Sequence, residues 1–125
     1  MPMKVRDKAA EAHRATVQSE ISDLTGFLVE VLGAKLTAHM TGVADGRTVS
    51  RWASGDRVPR ADAESRLRDI FYIFRLLQTS EDVHTVRAWF VGLNPQLDDR
   101  SPAAALHDGE VRDVLVAAKS FIAGG

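Results

Sequence analysis

The chain has 125 residues, a formal net charge of -1 and no cysteine. This length suffices for one domain with its own core, and the lack of cysteine excludes a disulfide framework and a thiolate metal site. The first residues are charged and no apolar run approaches the roughly 20 residues of a membrane span, so we expect a cytoplasmic protein without membrane contact.

Glycines separate segments of helical periodicity, and this pattern predicts an all-α fold. We expect residues 1–19 to form a variable arm or a marginal helix, because their apolar face is small and rich in alanine. A DNA-binding part is predicted over 20–60, and it begins with a core helix at 20–32. A second helical part is predicted over 61–125.

The segment 36–55 is predicted to form two short helices joined by a tight turn. Gly42 can end the first helix at little steric cost, and Val49 and Trp52 share one buried face of the second. Arginines and hydroxyls on the opposite face are typical of a helix-turn-helix that reads a DNA major groove. An ordinary helical hairpin with solvated arginines is an equal alternative. The residues predicted to contact DNA are Arg47, Thr48, Ser50, Arg51, Arg57 and Arg60.

Charge is distributed unevenly along the chain. Residues 47–68 contain six arginines and three acidic residues, an excess of cations that suits contacts to phosphates. Residues 69–125 carry a net charge of -3.

The second half begins with a long helix predicted over 60–79. Its segment 70–74, IFYIF, is apolar nearly all round, which indicates a helix buried on more than one side or, as an alternative, a seam between two copies. Further helices are predicted over 81–91 after an N-cap at Ser80, from Pro102 after an N-cap at Ser101, and over 110–123.

No constellation for catalysis is evident. The four histidines (13, 39, 84 and 107) are scattered without metal-ligand spacing, and the glycines form no phosphate-binding motif. We therefore expect no enzymatic activity, no metal and no cofactor.

From about Phe27 onward the chain resembles the Xre/MbcA/ParS-type antitoxins of RES–Xre toxin–antitoxin modules. The arrangement Trp89, Asn94–Pro95 and Ser101–Pro102 is the most specific part of the resemblance. The matching segments are GRTVSRWASGDRVPR (46–60), RLRDIFYIFRLL (66–77), RAWFVGLNPQLDDRSPAAAL (87–106) and GEVRDVLVAAKSF (109–121). One departure is that Gly42 and Val49 are seven residues apart, one more than in most helix-turn-helices.

The resemblance implies an antitoxin that binds the operator of its own operon and blocks the active site of a NAD-consuming RES toxin. It implies toxin binding by Trp89, Asn94 and Pro95. The alternative is that these residues form the scaffold that holds the last helix, with Trp89 as part of the core. The expected partners are the toxin, operator DNA, and further copies in a homodimer or a larger assembly with the toxin. A stand-alone helix-turn-helix transcriptional regulator is the alternative.

We further expect the last helix and tail to enter the toxin's active site. The acidic second half suits a pocket that holds the phosphates of NAD, and the terminal carboxylate can act as an anion mimic. The residues proposed for this role are Lys119, Phe121, Gly124 and Gly125.

Overall fold

The computed structural model describes residues 5–124, which form seven α-helices and one short 3₁₀ helix. No β-strand occurs between residues 5 and 124, and the predicted all-α class is confirmed. The elements are α1 (Val5–Leu32), α2 (Ala34–Thr41), α3 (Gly46–Ser54), α4 (Ala61–Gln78), α5 (Val83–Val91), the 3₁₀ helix (Pro95–Leu97), α6 (Pro102–His107) and α7 (Val111–Ile122).

The core is centred on α4, which contacts α1, α2, α5 and α7. The Phe74 ring is fully buried, with the edge of Phe27 against it at a centroid distance of 5.4 Å and Phe90 nearly parallel to it at 6.0 Å. Aromatic rings from α1, α4 and α5 therefore form one cluster. As predicted, α4 is buried on more than one side, although Tyr72 faces solvent.

The predicted break before residue 20 is not present, because α1 is continuous for 28 residues. From Val5 to Glu20 the side chains are exposed, apart from the half-buried Val17, whereas Ile21 and Leu28 belong to the core. The exposed half is rich in alanine and long polar residues, which favour helix, so it extends a helix that the packed half has already nucleated.

The start of α5 differs from the sequence prediction. Asp82, and not Ser80, is the N-cap, and its carboxylate accepts a hydrogen bond from the Thr85 backbone N–H at 2.8 Å. The Ser80 N–H instead donates to the carbonyl oxygen of Leu77 at 3.2 Å and prolongs the last turn of α4. Ser80 and Glu81 therefore belong to the connection between α4 and α5.

A single cation joins the two halves of the chain. Arg66 of α4 is half-buried, and its Nη1 donates to the carbonyl oxygen of Met40 at 3.2 Å and to that of Leu106. These carbonyls lie in the last turns of α2 and α6, where carbonyls lack partners within the helix and the helix dipole is negative. Alongside, the His39 and His107 rings stack at 4.4 Å, and His107 Nδ1 lies 2.8 Å from the carbonyl oxygen of His39.

Replacement of Arg66 should destabilise the whole fold. Arg66→Met keeps an apolar stem but leaves two helix-end carbonyls without their charged donor, and we expect a loss of about 2 kcal/mol in the free energy of unfolding. Urea denaturation followed by circular dichroism measures it. The control is Arg68→Met on the same helix, which removes a more exposed cation 3.6 Å from Glu64 and should cost at most about 0.5 kcal/mol. Equal losses would contradict the role assigned to Arg66.

The cap at Asp82 predicts a dependence of stability on pH. Hydrogen bonds from Thr85, chiefly its backbone N–H, lower the pKa of Asp82 below its usual value. A lowered folded-state pKa stabilises the protein above the unfolded pKa of about 3.9, and this contribution is lost as the pH falls through the folded value. Asp82→Asn keeps a capping oxygen without titrating. The stability difference between the two proteins should therefore be constant near neutral pH and should change in acid, as measured by urea denaturation at a series of pH values. A difference that is independent of pH would contradict this account.

Candidate functional sites

The first candidate site is the exposed face of α3. Val49 and Trp52 are buried as predicted, and the Ser22 hydroxyl of α1 donates to the carbonyl oxygen of Ala53 at 2.8 Å. At Gly46, an added Cβ would lie only 3.3 Å from the backbone of α2. Close contact with α1 and α2 thus fixes the orientation of α3.

The turn between α2 and α3 comprises residues 42–45. Gly42 ends α2 with φ 79°, as predicted, and the Val43 N–H donates to the carbonyl oxygen of Ala38 at 3.0 Å. The seven-residue spacing from Gly42 to Val49 therefore still buries Val49 fully. A turn of this length lies within the range of helix-turn-helix motifs.

The six residues predicted to contact DNA do not share one environment. Arg47, Ser50 and Arg51 are exposed on α3, at positions that share a helix face. Thr48 is half-buried. Arg57 and Arg60 are exposed in the connection to α4. The part of the set that is best arranged to enter a groove is therefore Arg47, Ser50 and Arg51.

The N-terminus of α3 carries an ion pair that the sequence prediction did not include. Asp45 is the N-cap, and its Oδ1 accepts the Arg47 backbone N–H at 2.8 Å. Its Oδ2 accepts from Arg47 Nε at 3.1 Å and from Nη2 at 2.9 Å. Hydrogen bonds from the Arg47 side chain and backbone lower the pKa of Asp45, and the same carboxylate raises the pKa of the Arg47 guanidinium. Both groups are therefore charged at neutral pH. An N-cap Asp two residues before an arginine is the sequence signal for such a pair.

The second candidate site is a groove of about 360 Å³ between the loop after α5 and helix α7. The Trp89 and Phe121 rings lie 6.4 Å apart between centroids. Leu93, which the sequence prediction did not include, is 77% exposed. The residues that line the groove are Trp89, Leu93, Asn94, Pro95, Gln96, Ala117 and Phe121. Four of the predicted toxin-binding residues, Trp89, Asn94, Pro95 and Phe121, thus line one groove. Trp89 and Phe121 are 32 positions apart in the chain.

Asn94 shapes the loop that forms this groove. Its side-chain oxygen accepts the Gln96 N–H at 2.9 Å, and its carbonyl oxygen accepts from the N–H groups of Leu97 and Asp99 at 2.9 and 3.0 Å. Asp98 and Asp99 have φ values of 56° and 62°, in the left-handed region that is uncommon for residues other than glycine. Asn94 is therefore the N-cap of the 3₁₀ helix that follows it.

Arg100 closes the loop and ties it to the following helices. Its guanidinium pairs with Asp108 at 3.0 Å and with Glu110, and these carboxylates, Glu110 foremost, raise the pKa of Arg100. The predicted N-cap at Ser101 is confirmed, since its hydroxyl accepts the Ala104 N–H at 3.0 Å. Sequence reasoning missed Arg100, because its acidic partners follow it by eight and ten residues, on the far side of α6.

Of the predicted tail residues that the structure describes, Phe121 lines the groove and the other two do not. Lys119 and Gly124 are exposed and do not line it. Phe121 alone belongs to both the groove and the proposed tail. Gly125 lies outside the described residues.

Two further kinds of feature are absent from residues 5–124, a cluster of metal ligands and a membrane-spanning helix. Across residues 5–124, no group of three or more His, Cys, Asp or Glu side chains is arranged to hold a metal ion. Among the helices of the same region, none combines the length and apolar character that a membrane span requires.

The curated relatives and the similar solved structure found for this chain both concern antitoxins called MbcA. No family model matches the chain. Three curated relatives, each called mycobacterial cidal antitoxin MbcA, from Mycobacterium bovis and two strains of Mycobacterium tuberculosis, are 32% identical over 72 residues. The match covers 58% of this chain and 64% of each relative, so it spans less than two thirds of their length. A chain of the crystal structure of the M. tuberculosis MbcT–MbcA toxin–antitoxin complex superimposes with a TM-score of 0.70 at 25% identity, covering 82% of this chain and 94% of that one.

The groove loop should depend on Arg100. In Arg100→Gln, the charged contacts to Asp108 and Glu110 are lost, and we expect the amide protons of Leu97 and Asp99 to exchange with solvent roughly tenfold faster or more. Hydrogen exchange followed by NMR measures these protons individually.

The matched control is Arg112→Gln, which neutralises an exposed arginine on α7. Exchange in the loop should be unchanged in this variant. A loop that exchanges equally in both variants would show that Arg100 does not hold it.

Proposed function

The chain is a homologue of the MbcA antitoxins, and from this premise we propose that it is an antitoxin that binds and inhibits a cognate toxin. MbcT, the toxin in the related complex, belongs to the RES-like NADases. The toxin proposed for this chain is accordingly a RES-family enzyme that consumes NAD. The antitoxin itself needs no catalysis or cofactor for this role, and it acts by occupying the toxin's active site.

The observation that carries this proposal is the convergence at the groove. Trp89, Asn94, Pro95 and Phe121 are distant in sequence and line one concavity. Leu93 projects from its rim with 77% of its surface exposed. An exposed leucine beside a half-buried tryptophan and an exposed phenylalanine is typical of the apolar part of a protein–protein interface. We assign the groove as the main contact for the toxin.

Inhibition is proposed to come from the neighbouring C-terminal tail. Lys119 and Phe121 lie in the last turns of α7, Gly124 and Gly125 follow them in the sequence, and residues 69–125 carry a net charge of -3. Binding at the groove would bring the tail of this acidic half toward a pocket built for the phosphates of NAD. Electrostatic complementarity of this kind favours association and correct orientation.

We also propose that the antitoxin regulates its own operon through α3. Arg47, Ser50 and Arg51 would enter the major groove, Thr48 would support them, and Arg57 and Arg60 would contact phosphates. One copy offers few contacts, so we expect two copies on a palindromic operator, as a homodimer or within a larger assembly with the toxin. A stand-alone transcriptional regulator is the second candidate, favoured only by this exposed arginine face.

The test uses the proposed cognate toxin in purified form. Leu93→Glu places a charge in the proposed contact, and we expect the toxin affinity to fall at least roughly tenfold and protection of growth to be lost. Isothermal titration calorimetry and co-expression measure the two effects. Val58→Glu, at an exposed valine outside the groove, is the control and should bind normally. Unchanged binding by Leu93→Glu would remove the groove from the interface, and no binding by the unaltered chain would favour the regulator.

Removal of Gly124 and Gly125 tests the tail separately. This truncation leaves every groove residue in place, so we expect binding to persist while inhibition of NAD hydrolysis by the purified toxin weakens. Full inhibition by the truncated protein would contradict the tail as the blocking element, while leaving the groove assignment intact.

A further inference from the structure

The ion pair at the start of α3 constrains one arginine of the proposed DNA-binding face. Asp45 is itself fixed, because its Oδ1 caps the helix by accepting the Arg47 backbone N–H at 2.8 Å. Its Oδ2 is thereby positioned to accept from Nε and Nη2 of the Arg47 side chain at 3.1 and 2.9 Å. The guanidinium is held although 88% of the side chain is exposed.

The edge of the guanidinium that Asp45 occupies decides what Arg47 can bind. A guanidinium has a side edge, formed by Nε and Nη2, and an end edge, formed by Nη1 and Nη2, and each presents two parallel N–H donors. Asp45 takes the side edge. The end edge stays available for a partner with two acceptors. In the major groove, guanine presents such a pair, O6 and N7, and an arginine that donates to both is the commonest specific contact.

We propose that Asp45 and Arg47 act together as a guanine-reading unit, in which Asp45 holds the side edge of the Arg47 guanidinium and the end edge binds guanine O6 and N7. This inference rests on the operator binding proposed above and names the base that the start of α3 recognises. Arg47 is the second residue of α3, and the first residues of a recognition helix are those that reach base edges.

The pair affects specificity in two ways. First, an arginine normally loses side-chain freedom on binding, and a side chain already held by Asp45 loses less. Second, the Asp45 carboxylate repels DNA phosphates, so it weakens binding wherever Arg47 does not gain a guanine. Asp45 thus raises discrimination by an attractive and a repulsive effect together.

The experiment selects binding sites from a random double-stranded DNA library with the full chain, alone and with the proposed cognate toxin. Four variants are compared with the unaltered chain, and the fourth combines Asp45→Asn with Arg47→Ala. Arg47→Ala removes the reader. Asp45→Asn keeps an N-cap, since asparagine caps as well as aspartate, but loses the charged hold on Arg47. Asp56→Asn is the matched control, because it removes the same charge from an exposed residue just after α3.

We expect the unaltered chain and Asp56→Asn to select a motif with a required guanine. Arg47→Ala and Asp45→Asn should lose the preference at that same position, by roughly 5- to 100-fold in relative affinity for guanine over other bases. Asp45→Asn should at the same time bind non-specific DNA more tightly, and it should have no further effect on base preference when Arg47 is already alanine.

Two results overturn the inference in distinguishable ways. If Asp45→Asn selects the same guanine with undiminished preference, Asp45 is only a helix cap and the guanine-reading unit is wrong, while operator binding stands. If the unaltered chain selects no motif, with or without the toxin, both operator binding and the inference fall.

Discussion

The structure depends on the position of Arg66. This cation donates to carbonyls at the ends of two helices that are far apart in sequence, Met40 in α2 and Leu106 in α6. The ends of α2 and α6 would otherwise bring two partly negative groups close together. Because α4 supplies both Arg66 and the central aromatic ring Phe74, the two candidate surfaces rest on one shared core. The shared core therefore fixes the orientation of the exposed face of α3 relative to the groove.

Local pattern predicted local structure well. The buried face of α3, the turn at Gly42 and the cap at Ser101 all depend on residues within a few positions of one another, and each is present. The acceptors of Arg66 are 26 and 40 residues away, and no periodicity reveals them. The continuity of α1 was missed for a related reason. A weak hydrophobic pattern does not distinguish an exposed extension of a helix from a separate arm.

The groove shows what resemblance contributes beyond pattern. Trp89, Asn94 and Pro95 came from similarity to a family, and the structure brings them together with Phe121. The Asn94 side chain accepts a hydrogen bond within the loop itself. Its presence in the family signature therefore reflects the shape of the loop as much as contact with a partner. Leu93 was overlooked, although an apolar residue between Gly92 and Asn94–Pro95 cannot be part of a buried helical face. That position is the signal that sequence reasoning had available.

The exposed half of α1 gives the molecule two kinds of melting. Residues 5–16 have exposed side chains and belong to the helix that continues into Ile21. Their helicity propagates from the packed half and shortens turn by turn on warming, since these exposed side chains do not make that loss cooperative. The core, with both tryptophans packed against it, unfolds as a unit. Far-ultraviolet dichroism would therefore decline gradually before tryptophan fluorescence reports any transition. At that stage only the exposed N-terminal half of α1 has unfolded.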